Sequence, residues 1–128
     1  MDKLEYIPGD LVKFATNTYT IVNFEENFLY NKICYALIST NSTKTAFVAD
    51  RDILPIPLTP EILEKNGWVK DKEDYINDSY HLHLCGKYDR YSVYKVVNDN
   101  IVWLTDVRNV SDLQHLLFGL GLNSEMEA

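Results

Sequence analysis

Short apolar runs separated by turn signals fill the first 56 residues. The turns are marked by Pro8-Gly9-Asp10, Thr16-Asn17-Thr18 and Asn41-Ser42-Thr43, because Gly and Asn tolerate left-handed backbone geometry and short polar side chains bond to the nearby backbone. Between them, runs rich in β-branched and aromatic residues predict five strands, at residues 11–15, 19–24, 33–40, 44–49 and 53–56. Five short strands with tight turns are typical of a small twisted barrel.

A helical signal replaces this alternation after residue 57. Thr59 is a suitable N-cap, Pro60 fits the first helical position, and Glu61 complements the positive end of the helix dipole. Gly67 suits the position just past a helix end, since glycine adopts positive φ without strain. These residues predict a short helix between Thr59 and Gly67.

Three strands and a second helix follow. The charged segment 70–78 is interpreted as a loop, and strands are predicted at residues 80–85, 88–97 and 101–105. Ser111 and Gln114 have the spacing of a capping box. Four leucines then repeat at the spacing of one helical face: Leu113, Leu116, Leu117 and Leu120.

The predicted fold class is therefore α+β, in two parts. Residues 1–56 are expected to form an N-terminal SH3-like small β-barrel. Residues 57–122 are expected to form a helix, a three-stranded antiparallel meander and a second helix, followed by a polar tail at residues 123–128.

Charge limits the classes of partner. The chain of 128 residues has 19 acidic and 12 basic side chains, which give a formal net charge of −7. Such a surface repels phosphate backbones and anionic membranes, so nucleic acid and membranes are not expected partners. The exception is an acidic protein that imitates nucleic acid and inhibits a host DNA-binding system. No apolar run approaches the ~20 residues needed to cross a bilayer.

Cys34 and Cys85 stand alone in apolar runs. Small secreted domains that need disulfides usually carry more cysteines, so two thiols in a reducing cytoplasm are expected. The start of the chain lacks the basic-then-apolar pattern of a signal peptide. We therefore expect a cytoplasmic protein.

Two segments carry a family resemblance: PIPLTPEILEKNGW at residues 55–68 and LQHLLFGL at residues 113–120. Together they resemble a family of small uncharacterised proteins of gut anaerobes, their phages and their mobile elements. The resemblance covers much of residues 53–122. It implies a phage or mobile-element accessory protein, and the family has no known activity that the resemblance could extend to this chain.

His81, His83 and Cys85 form the candidate metal site. Alternate residues of a strand share a face, so these three side chains would point the same way. Imidazole and thiolate are ligands that zinc prefers, but a structural zinc site needs four protein ligands. The alternative is that Leu82 and Leu84 face the core and the histidines lie on a solvated face.

Aromatic side chains form the candidate binding surface. Tyrosine and tryptophan combine a large apolar area with a polar group, which suits recognition surfaces. The candidates in the second half are Tyr88, Tyr91, Tyr94 and Trp103, and those in the first half are Tyr19, Phe28 and Tyr30. The alternative is that most of these rings lie in the core.

These observations predict an interaction module, not an enzyme, that binds a host protein or a small ligand and needs no cofactor. Assembly into a homo-oligomer is left open. The alternative function is a metal-dependent or ligand-processing enzyme centred on His81, His83 and Cys85.

Overall fold

Strands dominate the computed structural model, which describes residues 6–27, 32–39, 45–49 and 52–128. Those residues form ten strands and two helices. The strands are β1 Leu11–Phe14, β2 Asn17–Asn27, β3 Lys32–Ser39, β4 Thr45–Ala49, β5 Ile53–Pro55, β6 Val69–Asp71, β7 Asp74–Asn77, β8 Leu82–Gly86, β9 Tyr91–Val97 and β10 Asn100–Val107; the helices are α1 Pro60–Lys65 and α2 Val110–Gly119. The chain divides into two compact units, Met1–Ile56 and Pro57–Ala128. Each unit contains one five-stranded antiparallel sheet.

The sheet of the first unit has the strand order β4-β3-β2-β1-β5. Val12 of β1, Ile21 of β2 and Leu37 of β3 are fully buried in one core cluster. The ring of Tyr35 joins this cluster and meets Tyr6 edge-on, with 5.6 Å between the ring centroids. Each of the five strands predicted here overlaps an observed strand.

The predicted SH3-like barrel is wrong, because the described strands do not close. β4 and β5 are the two edges of an open sheet, and β5 has only three residues. Turn signals and apolar alternation identify strands and their hairpin neighbours. They carry no information on whether the first and last strands of a sheet meet.

The sheet of the second unit has the order β10-β9-β8-β7-β6. One face of this sheet is buried, with Leu82 and Leu84 of β8 and Val93 of β9 at most 1% exposed. Leu63 of α1 and Leu113 of α2 are also fully buried. The buried sheet face and the two helices therefore supply the core of this unit.

The predicted loop at 70–78 is wrong, and the predicted three-stranded meander is only part of the sheet, since β8, β9 and β10 continue into β7 and β6. β6 and β7 form a hairpin in which Asp71 pairs with Asp74, and Lys72 in its turn has a φ of 58°. The charges of the segment suggested a solvated loop, but Tyr75 and Asn77 are buried on one side of β7. With ten strands and two short helices in the described residues, the chain is mostly β and not α+β.

The predicted ends of the two helices agree with the observed ends for α1 but not for α2. The Thr59 side chain accepts a hydrogen bond from the Ile62 backbone N–H at 3.3 Å, and Gly67 has a φ of 87°, so the predicted ends of α1 are confirmed. The N-cap of α2 is Asn109, two residues before the predicted Ser111. Asp112 completes this end, since its carboxylate accepts hydrogen bonds from the backbone of Arg108 and Asn109 at 3.0 and 3.1 Å.

The two edge strands of the second sheet differ in length and charge. β6 has three residues, which include Lys70 and Asp71. β10 has eight residues, and its uncharged run 101–105 contains four exposed large hydrophobic side chains. Short, charged edges discourage the addition of another strand, and long apolar edges permit it. Among the described residues, neither helix is long and apolar enough to span a membrane.

Candidate binding surface

A row of side chains crosses all five strands on the exposed face of the second sheet. Val69 pairs with Ile76, Ile76 with His83, His83 with Tyr94, and Tyr94 with Trp103. Directly paired residues in a sheet point to the same face. We call these five residues the cross-strand row.

Aromatic contacts connect the middle of the cross-strand row. The rings of His83 and Tyr94 stack with 4.7 Å between centroids and 20° between planes. Tyr94 and Trp103 lie 5.0 Å apart with their planes tilted by 57°. Offset or tilted rings at these distances attract each other and hold side chains in fixed positions. The row is therefore a preformed surface.

Large apolar areas of this surface remain exposed. Val69 is 67% exposed and Trp103 is 56% exposed. The neighbouring cross-strand pair, Val96 and Ile101, is 44% and 55% exposed. We call the cross-strand row together with Val96 and Ile101 the exposed sheet face. A contiguous apolar surface of this kind is typical of interaction sites.

Carboxylates border the exposed sheet face on one side. The Tyr94 hydroxyl donates a hydrogen bond to the Asp74 carboxylate at 2.6 Å. Further along the same border, Ser92 Oγ donates to Asp106 at 2.7 Å, and the Arg90 guanidinium forms an ion pair with Asp106 at 3.3 Å. The border is therefore polar and partly fixed by hydrogen bonds.

Burial and the neighbouring carboxylate change the acidity of two groups here. Burial, followed by the hydrogen bond to Asp74 and its negative charge, raises the pKa of Tyr94 to about 12. Burial, with a further contribution from Asp74, also raises the pKa of the Cys85 thiol. Because the thiolate is the nucleophilic form of cysteine, Cys85 is a poor nucleophile in this position.

A shallow groove lies at the end of this border. The turn of the β6–β7 hairpin forms one side, and His83 and Tyr94 form part of the other. Its volume is ≈ 470 Å³, and its lining is Asp71, Lys72, Glu73, Asp74, Ile76, His83 and Tyr94. Rings and carboxylates thus face the same small space.

The structure separates the predicted aromatic candidates. Tyr94 and Trp103 lie together in the cross-strand row. Tyr91 lies on the opposite face, where its ring meets Tyr75 edge-on at 6.3 Å. Tyr88 precedes β9 and is fully exposed.

Tyr19 is the one candidate of the first half among the described residues. Tyr19 belongs to the first unit, where its ring meets Phe14 with 6.0 Å between centroids. Phe28 and Tyr30 lie outside the described residues.

His81 lies outside the strand that contains His83 and Cys85, so strand alternation does not place the three side chains on one face. His81 precedes β8 and has a φ of 56°, so it does not continue the alternation of the strand. His83 stacks on Tyr94 instead. No three His, Cys, Asp or Glu side chains in the described part of the chain are placed to hold one metal ion.

Asp74 and Ile76 were missed as surface residues because segment 70–78 was interpreted as a loop, and Val69, just before it, was assigned to no element. A signal for a strand exists in Tyr75-Ile76, an aromatic and a β-branched residue that follow a charged segment. Residues of these two kinds are enriched in strands.

The comparisons with known proteins give no relative. No protein-family model, no curated protein sequence and no solved structure matches the chain.

Proposed function

We propose that this protein is a non-catalytic interaction module that binds another protein through the exposed sheet face. The observation that carries this proposal is the continuous cross-strand row, in which stacked rings at the centre are flanked by apolar side chains up to 67% exposed. Interfaces are enriched in aromatic residues at their centre and have polar rims. The carboxylates beside the row supply such a rim.

The chemistry of this face supports binding over catalysis. The Cys85 thiol has a raised pKa, which disfavours its reactive form. Asp74 already accepts the hydrogen bond of the Tyr94 hydroxyl. A nucleophile needs a direct hydrogen bond to a base that activates it. The Cys85 thiol does hydrogen-bond to the Asp74 carboxylate, but this contact raises the pKa of the thiol and so opposes formation of the thiolate.

A protein of the host bacterium is the proposed partner, and the cytoplasm is the proposed compartment. The resemblance of residues 53–122 to phage and mobile-element proteins supports the first statement. The second is supported by Cys34 and Cys85, which are both free thiols, because thiols persist in a reducing compartment.

The test compares surface variants in binding to one purified partner. Candidates are captured from a lysate of gut anaerobes with the tagged wild-type chain and identified by mass spectrometry. Each is then purified and titrated against the wild type and against a double variant, Trp103→Ser with Ile101→Ser. Loss of an exposed aromatic anchor at an interface centre typically weakens binding by more than tenfold, so at least that loss is expected.

Phe118→Ser is the matched control, because Phe118 is 66% exposed on α2 and lies outside the exposed sheet face. This variant is expected to bind as the wild type does. Equal affinity of all three proteins for every purified candidate would refute the proposal.

A further inference from the structure

We infer that the groove at the β6–β7 turn binds an arginine side chain of the partner, in a segment where arginine is flanked by apolar residues. This inference rests on the proposed function and specifies the chemistry of the partner. Both the shape and the charge of the groove favour a guanidinium group as its occupant.

The walls of the groove match both properties of a guanidinium. His83 supplies an aromatic ring that stacks on Tyr94 with one face only, and Asp71, Glu73 and Asp74 supply carboxylates. A guanidinium is planar, stacks on aromatic rings and forms paired hydrogen bonds with carboxylates. A lysine ammonium is a compact, strongly hydrated charge, and it satisfies the ring contact less well.

Two of the three carboxylates are available to such a group. Asp74 is occupied by the Tyr94 hydroxyl at 2.6 Å, a contact that also fixes the ring in place. Asp71 and Glu73 are exposed, and neither forms an ion pair with any described residue. Lys72 is the one lysine or arginine in the lining, so the three carboxylates outnumber its permanent positive charge.

Charge complementarity extends beyond the groove. The formal net charge of the chain is −7, which attracts a basic segment from a distance and speeds its association. The exposed sheet face next to the groove is apolar, with Val69 as its end at β6. A segment that places apolar side chains on this face and an arginine in the groove would satisfy both surfaces together.

The experiment uses two synthetic hexapeptides of alternating leucine and either arginine or citrulline, titrated into the full chain. Citrulline keeps the planar shape of arginine and removes its charge. Binding is followed by ¹H–¹⁵N NMR shifts and by Trp103 fluorescence. We expect saturable binding of the arginine peptide, with the largest shifts at residues 71–74, 83 and 94, and about tenfold weaker binding of the citrulline peptide.

Variants assign the effect to the groove. Asp71→Asn with Glu73→Gln is expected to weaken the arginine peptide roughly tenfold, with little change for citrulline. The control is Glu125→Gln with Glu127→Gln, which removes the same charge from exposed positions of the tail. Unchanged NMR spectra of both double variants outside the substituted residues show that they are folded.

Several results would overturn the inference. They are no saturable binding of the arginine peptide, equal affinity of both peptides, or an equal effect of the groove and tail variants. The proposed function is tested separately, because it requires that Trp103→Ser with Ile101→Ser weaken the binding of a purified partner. A partner that needs Trp103 but is indifferent to Asp71 and Glu73 would leave the binding module standing and remove the arginine site.

Discussion

Tyr94 is the residue at which the contacts of the exposed sheet face converge. Its ring lies between His83 and Trp103, and its hydroxyl donates to Asp74. Burial and this carboxylate raise the pKa of Tyr94 to about 12, compared with 10.0 for an unperturbed tyrosine. One side chain thus connects the apolar row to its acidic border.

Replacing Asp74 by asparagine is expected to lower the pKa of Tyr94 towards 10.0, because the negative charge that opposes ionisation is removed. Burial remains, so the pKa should stay above that value. Titration of the Tyr94 ¹³Cζ resonance in labelled protein measures the change. Asp106→Asn is the matched control and should leave this pKa unaltered; a Tyr94 pKa that is the same in Asp74→Asn as in the wild type would contradict the assigned cause.

The same shift predicts how stability depends on pH. A pKa raised in the folded state means that the folded chain holds the Tyr94 proton more tightly than the unfolded chain does. The stability from this group is therefore fully present below pH 10.0 and is lost as the pH rises through about 12. Urea unfolding across this window should show a smaller decline for Tyr94→Phe, which lacks the ionisable group.

Tyr94 and Trp103 show which features of this surface the sequence predicts and which it does not. Tyr94 and Trp103 were predicted as surface candidates from composition and strand pattern, and they do meet in the row. Their partners could not be found, because parity within one strand says nothing about register with the next. The pairing of Tyr94 with His83 depends on where the hairpin turns fall.

At the scale of elements, the N-terminus of α2 gives a direct test. The sequence offers two overlapping cap patterns, since Ser111 with Gln114 and Asn109 with Asp112 have the same spacing. Apolar periodicity defines the body of a helix better than its first turn, so pattern alone does not choose between them. Around α1 all signals agree on Thr59, and that end was predicted correctly.

Asp112→Ala is expected to reduce the free energy of unfolding by about 1 kcal/mol, because it leaves the backbone N–H groups of Arg108 and Asn109 without their acceptor. Ser111→Ala should cost less, since Ser111 is not the N-cap. Urea denaturation of the two variants provides the measurement. A larger loss of unfolding free energy for Ser111→Ala than for Asp112→Ala would instead support Ser111 as the N-cap, as the sequence predicted.

At the scale of the whole molecule, the local strand patterns were more informative than the architecture. Hairpin signals located the strands of the first sheet, but whether its edges close depends on strand length and twist, which alternation does not encode. In the second unit, the charged residues of segment 70–78 led to a predicted loop where β6 and β7 form. The fold class was therefore wrong even though both helices were located.

Leu37→Ala is expected to lower the free energy of unfolding by about 2–5 kcal/mol, because this side chain is fully buried in the core of the first unit and its removal leaves a cavity. Leu54 is 55% exposed on β5, so Leu54→Ala should change stability by only about 0.5 kcal/mol. Chemical denaturation followed by circular dichroism compares the two. Similar losses would contradict the placement of the core.

The unequal edges of the second sheet set a limit on growth. If two copies join along β10, both outward edges of the enlarged sheet are β6, whose three residues include Lys70 and Asp71. Continued growth of a sheet requires an open edge at each end of the repeating unit, and the second sheet of such a pair has no edge that favours another strand. Pairing through β10 therefore ends the growth of this sheet after two copies.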